Sequence, residues 1–339
     1  MLKTIRFTQE APDKPLIKYV ADFWTSDSPY VRECAQIKKK PLSAGYIKLH
    51  HEDVKRHIEP FQGFRGVTLR SLTAGKIRDW MTWAAEKGMS GRRINTVLQS
   101  MRIAVRYAVS REELDRDPFK TIGEAEEQSK EKGVLTPGEV SRLIHAPVTD
   151  PRTRLAVLLG ILCGLRRGEV RGICWGDIGE GIITVCHNWI DGEGIKAPKC
   201  KGGAIRENKR SVPFPASVAL AIEAVRQTST NPAPDCFVFE GMRRPGEPLS
   251  NNFFRRALAS ELVAIGIDDS EQRRRNLSFH GLRHSYITLG RLGGISDIEI
   301  QALAGHRSGA MMERYSHASQ VLDFEAAREK LEKAIGGNT

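Results

Sequence analysis

The 339-residue sequence lacks the features that mark exported, membrane-spanning and zinc-finger proteins. Its N-terminus shows no signal peptide, and its longest apolar run, residues 155–164, is about half as long as a membrane span requires. The cysteines form no Cys-x-x-Cys pair, and no histidine stands at zinc-finger spacing from a cysteine pair. We therefore expect free thiols in a reducing cytoplasm, no metal site and no membrane association. The cysteines are Cys34, Cys163, Cys174, Cys186, Cys200 and Cys236.

Several sequence signatures of cofactor chemistry are also missing. There is no Walker motif for nucleotide phosphates and no cluster of carboxylates that would suggest magnesium. An RNA- or nucleotide-binding protein is one alternative for a basic chain, but we find no aromatic stacking motif that would support it. We expect no cofactor.

Positive charge is in excess. Lysine and arginine total 52 against 41 acidic residues, which gives a net charge of +11 and a pI of about 9.4. Such an excess favours a polyanionic partner, because each cation placed on a phosphate releases a counterion. Many basic proteins bind no nucleic acid, so charge alone does not decide the function.

The length and one charged segment indicate two domains. Domains of roughly 100–200 residues make two the natural expectation for this chain. Residues 123–133 are charged, lack large apolar side chains and are bounded by glycines, which is typical of a linker; a solvated helix is the alternative. We predict a helical domain over 1–121, a linker over 122–133, a second domain over 134–319 and a helical tail over 320–339.

The first domain has helical patterns at residues 15–24, 73–86 and 90–110, with Thr73 and Ser90 as N-caps. The third helix has one broad apolar face and a separate stripe of Arg92, Arg102 and Arg106. An apolar face toward a core and an arginine stripe toward solvent suit a helix lying on DNA. An ordinary solvated face is the alternative.

The second domain has a mixed pattern. Thr136 and Glu139 form a capping box, residues 152–164 form an apolar helix, and 181–186 read as a strand. The basic stretch 192–213 predicts a hairpin or a short three-stranded sheet. Helices are predicted at about 216–227, 250–264, 280–292, 296–304 and 321–335.

Two short segments combine arginine with groups that could assist it. His280, Arg283 and His284 share one face at a helix N-terminus, which favours anions. Arg166 follows an apolar helix and a glycine, and Glu169 is placed to orient it. The alternatives are polar residues on a wet helix face and a structural Arg–Glu pair.

A third segment, residues 304–317, places His306 after a glycine and Tyr315 between polar neighbours. A packing tyrosine would normally lie among apolar residues, although half-buried packing is the usual role of tyrosine.

Taken in order, R-x-x-E, a basic hairpin, H-x-x-R-H, Gly-His and Tyr resemble the tyrosine recombinase (phage integrase) family over about residues 135–319. The resemblance implies a mainly α fold with a small β-sheet (α+β). It implies a helical, SAM-like core-binding domain and a mixed α/β catalytic domain that together form a clamp on DNA. It implies cutting and rejoining of DNA through a covalent 3′-phosphotyrosyl intermediate.

The resemblance also assigns roles to residues. Tyr315 is the nucleophile, His280 its proton acceptor, and Arg166, Arg283 and His306 stabilise the phosphate. Glu169 and His284 support them, and no metal is needed.

The hairpin lysine of the family protonates the leaving oxygen, and here Lys199 matches its Pro-Lys-Thr context. The family usually has threonine where Cys200 stands, so Lys201 and Lys209 remain alternatives, or else they are phosphate contacts.

By the same resemblance, the partners are duplex DNA with inverted-repeat core sites, a homotetramer on that DNA and an accessory directionality factor. The tail would pack on a neighbouring subunit. An integrase of a phage or mobile element is the first interpretation, and a chromosome-dimer resolvase is the second. A type IB topoisomerase and a catalytically silent DNA-binding regulator are the remaining alternatives. The few residues before the first helix suggest a simple type without an arm-binding domain.

Overall fold

In the computed structural model, which describes residues 13–127, 131–196, 209–241, 244–305 and 323–336, the chain divides into two units between Ser129 and Lys130. This division falls inside the segment predicted as a linker. Each unit encloses its own hydrophobic core. Among the described residues no helix is both long and apolar enough to cross a membrane.

The first unit is helical, and serine or threonine side chains cap most of its helices. Thr73 and Ser90 accept N–H groups of the first turns of α4 and α5, as predicted. The predicted apolar face of α5 is buried in the core. The helices are α1 (Leu16–Phe23), α2 (Pro29–Gln36), α3 (Ala44–Asp53), α4 (Ala74–Glu86) and α5 (Gly91–Ser110), with a π-helical turn at Val54–Ile58 and a 3₁₀ turn at Gln62–Phe64.

The arginine stripe of α5 is only partly turned toward solvent, so that prediction was wrong for Arg102. Arg102 is half-buried, with its guanidinium 5.7 Å from the ring centre of Phe119. Arg106 donates to Asp117 at 3.0 Å. Both side chains fasten α5 to the segment that follows it, whereas Arg92 is exposed.

The predicted linker is not a free tether along its whole length. Asn95 and Ala125 exchange two hydrogen bonds of 2.9 and 2.8 Å, which hold the start of the segment on the first unit. At the other end, Asn276 of the second unit donates to the carbonyl of Glu131 at 3.0 Å. Backbone N–H and C=O groups that lie against a packed helix form hydrogen bonds with the polar groups there, which fixes the ends of the segment.

The second unit surrounds a helix that is apolar on every side. Every residue of α7 from Thr153 to Leu162 is buried, in agreement with its apolar sequence. The capping box predicted at Thr136–Glu139 is present, and Ser296 and Glu299 form another at the start of α13. The helices are α6 (Pro137–His145), α7 (Pro151–Leu162), α8 (Arg167–Gly172), α9 (Ala216–Thr228), α10 (Asn251–Ala264), α11 (Asp269–Arg274), α12 (Phe279–Leu292), α13 (Asp297–Ala304) and α14 (Phe324–Gly336).

In the described part of the chain, the strands form three small antiparallel pairs, which confirms the prediction of a mainly α fold with little sheet. The strands are β1 (Ile182–Val185), β2 (Asn188–Ile190), β3 (Gly194–Lys196), β4 (Arg210–Pro213), β5 (Glu240–Gly241) and β6 (Arg244–Pro248). β1 pairs with β4, β2 with β3 and β5 with β6. The basic stretch between β3 and β4 thus connects two different pairs.

The tail helix α14 packs on the second unit of the same chain. Its Ala327 and Leu331 are buried in the core of that unit. The backbone of Gly293 at the end of α12 approaches it so closely that a β-carbon there would lie 2.1 Å from the Lys330 carbonyl oxygen. In the single chain, therefore, the tail is docked in cis; its packing on a neighbouring subunit stays a prediction for the assembled protein.

Candidate active site

A sharp turn after α7 delivers the first site residues. Gly164 adopts φ +62°, and a β-carbon there would lie 2.5 Å from the ring of Tyr286, so only glycine fits. Arg166 then caps α8, and its backbone N–H donates to Glu169 at 2.8 Å. Glu169 is thereby held at the first turn of α8 with its side chain fully buried.

Two arginines from distant parts of the chain share the Glu169 carboxylate. Arg166 donates through Nη1 to Oε1 at 2.8 Å. Arg210, on β4, donates to both oxygens at 3.0 and 2.7 Å, which is the bidentate geometry that favours arginine over lysine. Arg210 also donates through Nε to the carbonyl of Leu303 at 2.8 Å. Glu169 therefore orients both guanidinium groups.

The two arginines keep Glu169 ionised. Burial alone would raise the pKa of this carboxyl, but the hydrogen bonds and charges of Arg210 and Arg166 outweigh it and lower the pKa. The carboxylate is thus a fixed negative charge at the centre of the site.

Arg283 adds a third guanidinium. It lies on α12, is only 2% exposed and donates to the carbonyl of Gly164 at 2.6 Å. Burial, followed by the charges of Arg166 and Arg210, lowers its pKa to about 9, whereas Glu169 acts in the opposite direction.

The described part of the site therefore has a charge surplus. Arg166, Arg210 and Arg283 carry three positive charges against the single negative charge of Glu169, which leaves two. Buried charges are costly unless they are paired, so such a surplus favours binding of an anion. A phosphate group carries the matching charge and geometry for guanidinium donors.

Two histidines lie on the same helix as Arg283. The rings of His280 and His284 are 5.5 Å apart in an edge-to-face arrangement, as their spacing of four residues predicts. His280 is exposed to solvent. Desolvation by nearby protein atoms and then the positive charges of His284, Arg283 and Arg166 lower its pKa. His280 is therefore neutral near pH 7 and able to accept a proton.

A glycine cap links the site to the segment that contains the predicted nucleophile. Gly305 ends α13 in the left-handed conformation at φ +68°. Its carbonyl accepts a hydrogen bond from Arg166 Nη2 at 3.1 Å. The chain thus leaves α13 beside the arginine cluster.

The structure brings together Arg166, Glu169 and Arg283, as the sequence suggested. The predicted residues Lys199, Lys201, His306 and Tyr315 lie outside the described residues.

Arg210 was missed by sequence reasoning. A signal for it exists, because Arg210 stands two residues before the buried Val212 in β4 and so shares its inward face. Lys209 precedes Arg210 and is exposed.

Comparison with known proteins places this site in a family. The model of the phage integrase family matches residues 133–321. The tyrosine recombinase XerA of Pyrococcus furiosus is 29% identical over 302 residues, covering 87% of this chain and 95% of XerA. The ICEBs1 integrase of Bacillus subtilis is 24% identical and covers 84% of this chain and 76% of that protein.

Solved structures share the fold. A Tn1549 transposon integrase in complex with circular intermediate DNA matches with a TM-score of 0.69 at 20% identity, over 94% of this chain and 99% of that one. A lambda integrase tetramer bound to a Holliday junction matches with a TM-score of 0.64 at 16% identity, over 90% and 78%. With the family match covering more than half of its length, the chain belongs to the phage integrase family, the tyrosine recombinases.

Proposed function

We propose that this protein is a site-specific DNA recombinase that cleaves and rejoins DNA through a 3′-phosphotyrosyl intermediate, and that it integrates or excises a phage or mobile element. The observation that carries the proposal is the convergence of Arg166, Arg210 and Arg283 around the buried Glu169. A phosphodiester is very slow to cleave, and rigid donors aimed at its oxygens lower the barrier.

The chemistry requires an in-line displacement at phosphorus. The Tyr315 oxygen forms a bond to phosphorus while the bond to the 5′-oxygen of the next nucleotide breaks. Arg166 and Arg283 donate to the non-bridging oxygens, and His306 adds a further hydrogen bond. The tyrosine proton passes to His280, whose lowered pKa keeps it neutral.

The leaving 5′-oxygen takes its proton from a lysine of the basic loop. Lys199 is the first choice, with Lys201 as the alternative. The exposed Lys209 is a further alternative, or else a phosphate contact. Rejoining reverses the steps, because the phosphotyrosyl bond conserves the energy of the cleaved phosphodiester and no ATP is required.

The first unit would form the core-binding half of a clamp around the DNA duplex. Exposed Arg92 is suited to a phosphate contact, and Lys201 and Lys209 would contribute from the catalytic unit. Arg102 and Arg106 already have partners in their own unit, and would act mainly by shaping this surface.

The functional assembly would be a homotetramer on inverted-repeat core sites. Exchange between two duplexes requires two strands to be cut on each, and the lambda integrase neighbour is a tetramer on a Holliday junction. An accessory directionality factor would set the balance of integration and excision. The protein would act in the cytoplasm of a bacterium or of a phage's host, where the DNA lies.

The biological role is proposed as that of a mobile-element integrase. The relatives include an integrase of ICEBs1, an integrase of Mycobacterium phage L5 and XerA. A chromosome-dimer resolvase is the alternative, and the target sequence distinguishes the two.

The test uses nicked duplexes tiled across the DNA that flanks the gene. Each is incubated with wild-type protein and with Tyr315→Phe, and denaturation-resistant adducts are measured. We expect an adduct on one flanking sequence with the wild type and none with Tyr315→Phe, which should bind that sequence equally well.

The other outcomes are informative. An adduct that survives Tyr315→Phe means that another residue is the nucleophile. Specific binding without an adduct indicates the silent regulator. Relaxation of supercoiled DNA without strand exchange indicates a topoisomerase.

A further inference from the structure

A second polar cluster lies in the catalytic unit, formed by residues that the arginine site does not use. Ligand atoms of Cys174, Asp177 and His187 all lie within 4.8 Å of one another. Cys186 adjoins this group, because its sulfur is 2.9 Å from Asp177 Oδ1 and 3.3 Å from His187 Nδ1. Cys186 therefore adds a second thiol beside the carboxylate and the imidazole of this group.

The cluster combines two separate parts of the chain. Cys174 precedes the short 3₁₀ turn (Trp175–Asp177) that follows α8, and Asp177 is the last residue of that turn. Cys186 and His187 form the break between β1 and β2. In a continuous strand these neighbours would point to opposite faces, so the break is what turns both side chains toward Asp177.

The backbone around the cluster is held in place independently. Trp175 and Gly176 donate to the carbonyls of Cys236 and Pro234 at 3.0 and 2.8 Å. The Cys174 N–H donates to Asp177 Oδ2 at 2.9 Å, which orients the carboxylate as outer hydrogen bonds do in metal sites.

Charge and donor chemistry both suit a divalent cation. Two thiolates and a carboxylate carry three negative charges, and Zn²⁺ together with nearby Lys209, which acts on the Cys186 thiol, would balance them. Zinc prefers sulfur and nitrogen in a tetrahedron whose edges are about 3.3–3.8 Å. The His187–Asp177 distance of 3.2 Å and the Cys186–His187 distance of 3.3 Å are already close to these edges.

We propose that Cys174, Asp177, Cys186 and His187 form a structural zinc site. Four protein ligands would close the coordination shell, so the ion would have a structural role. It would join the end of α8, the helix whose first turn contains Glu169, to the start of β2 in the hairpin before the basic loop. This proposal differs from the expectation of no metal site that the sequence suggested. That expectation rested on the spacing of cysteines and histidines along the chain, whereas these ligands come from two separate segments that the fold brings together.

The test measures metal binding by the full-length protein and does not depend on recombinase activity. Protein stripped with a chelator is titrated with Co²⁺ under anaerobic conditions. We expect one ion per chain, with thiolate charge-transfer absorption and the visible bands of tetrahedral cobalt, both displaced by Zn²⁺. Protein purified without chelator should contain about one zinc by elemental analysis.

Variants identify the ligands. Cys186→Ser should reduce the charge-transfer absorption by about half, and His187→Gln should weaken Zn²⁺ binding at least tenfold. Cys34→Ala, a buried cysteine of the other unit, is the control and should bind as the wild type does. If a cysteine variant fails to fold, His187→Gln still decides, because that side chain is one-third exposed.

The expected thermal shift is a second readout. Zinc at about 100 times its dissociation constant should raise the Tm of the catalytic unit by about 5–10 °C. Three results would overturn the proposal: no cobalt spectrum in the reduced wild type, an equal loss of binding in Cys34→Ala, or unchanged Zn²⁺ affinity in His187→Gln. A disulfide between Cys174 and Cys186 that persists under reducing conditions would also exclude it.

Discussion

Two buried glutamates of the catalytic unit, Glu169 and Glu261, are both paired with arginine but differ in the charge around them. Glu261 accepts from Arg154 Nε at 2.6 Å, and both side chains are at most 4% exposed. The terminal nitrogens of Arg154 donate to carbonyls of Ile144, Ala146 and Pro147. The charges of Arg154 and Glu261 therefore balance, and the nitrogen donors of Arg154 form hydrogen bonds.

The pKa values of the two carboxyls move in opposite directions. Burial raises the pKa of Glu261, and the single charge of Arg154 offsets this only in part. Glu169 is buried as well, but two arginines lower its pKa. The comparison teaches that a balanced pair completes a core, whereas an unbalanced cluster of three arginines and one carboxylate is prepared for an anion.

The largest expected effects are a loss of activity at the Glu169 site and a loss of stability at the Glu261 pair. Arg283→Lys should slow adduct formation about 10²–10³-fold, because one rigid donor to the phosphate oxygens is lost. Arg154→Met should instead cost about 3–5 kcal/mol of unfolding free energy, since it leaves Glu261 buried and unpaired. Adduct kinetics and denaturant unfolding of both variants measure the two quantities. If Arg283→Lys and Arg154→Met lost the same activity per folded molecule, the two regions would not differ in function.

Arg210 should show a smaller loss, because it acts by positioning Glu169. Arg210→Gln should reduce the rate of adduct formation about 10–100-fold with unchanged affinity for the site. Arg210→Lys should recover part of the rate. The exposed Arg291, paired with Asp297 at the surface, supplies the control Arg291→Gln, which should match the wild type. A loss of DNA affinity equal to the loss of rate would argue that Arg210 contacts DNA instead.

The pH dependence of stability should have opposite signs at the two glutamates. A lowered folded-state pKa means that Glu169 stabilises above its unfolded pKa of about 4.3, and that this contribution is lost as pH falls through the folded value. A raised folded-state pKa means that the ionised Glu261 carboxylate disfavours folding. This penalty decreases as pH falls through the folded-state pKa toward the unfolded value of about 4.3. Each contribution changes by at most about 1.4 kcal/mol per pH unit.

Glu169→Gln and Glu261→Gln test these signs. The destabilisation by Glu169→Gln should shrink on acidification, and that by Glu261→Gln should grow. Urea unfolding at several pH values between neutrality and the acid limit of the fold provides the measurement. Slopes of the same sign would contradict the charge comparison.

The smallest effect concerns His280. If the rate depends on a neutral histidine, an ordinary histidine of pKa 6.5 would lower adduct formation about threefold between pH 7 and pH 6. Because the pKa of His280 is lowered, adduct formation should fall by less than this. The rate should drop further below that range as the ring takes up a proton. His280→Asn should be slower and should lack this acid limb; an unchanged limb would assign it to another group.

Much of the fold was predictable because its signals are local. The N-caps Thr73 and Ser90 and the capping box at Thr136 act within one turn, so their sequences alone mark where helices begin. α2 was missed although Ser28 caps it, because it is only 8 residues long and polar on average. The predicted solvent exposure of Arg102 was wrong because contact with Phe119 is a tertiary fact.

The sequence by itself determined the family, the mainly helical class and the identity of Arg166, Glu169 and Arg283 as candidates, because these depend on motifs of fixed order and spacing. Only the tertiary structure revealed that Arg210 shares Glu169, since 41 positions separate them and the pairing of β1 with β4 brings Arg210 inward. The same holds for the Cys174–Asp177–His187 cluster. A carboxylate or a thiol responds to whichever groups lie within a few ångströms, and over such separations packing alone decides which groups those are.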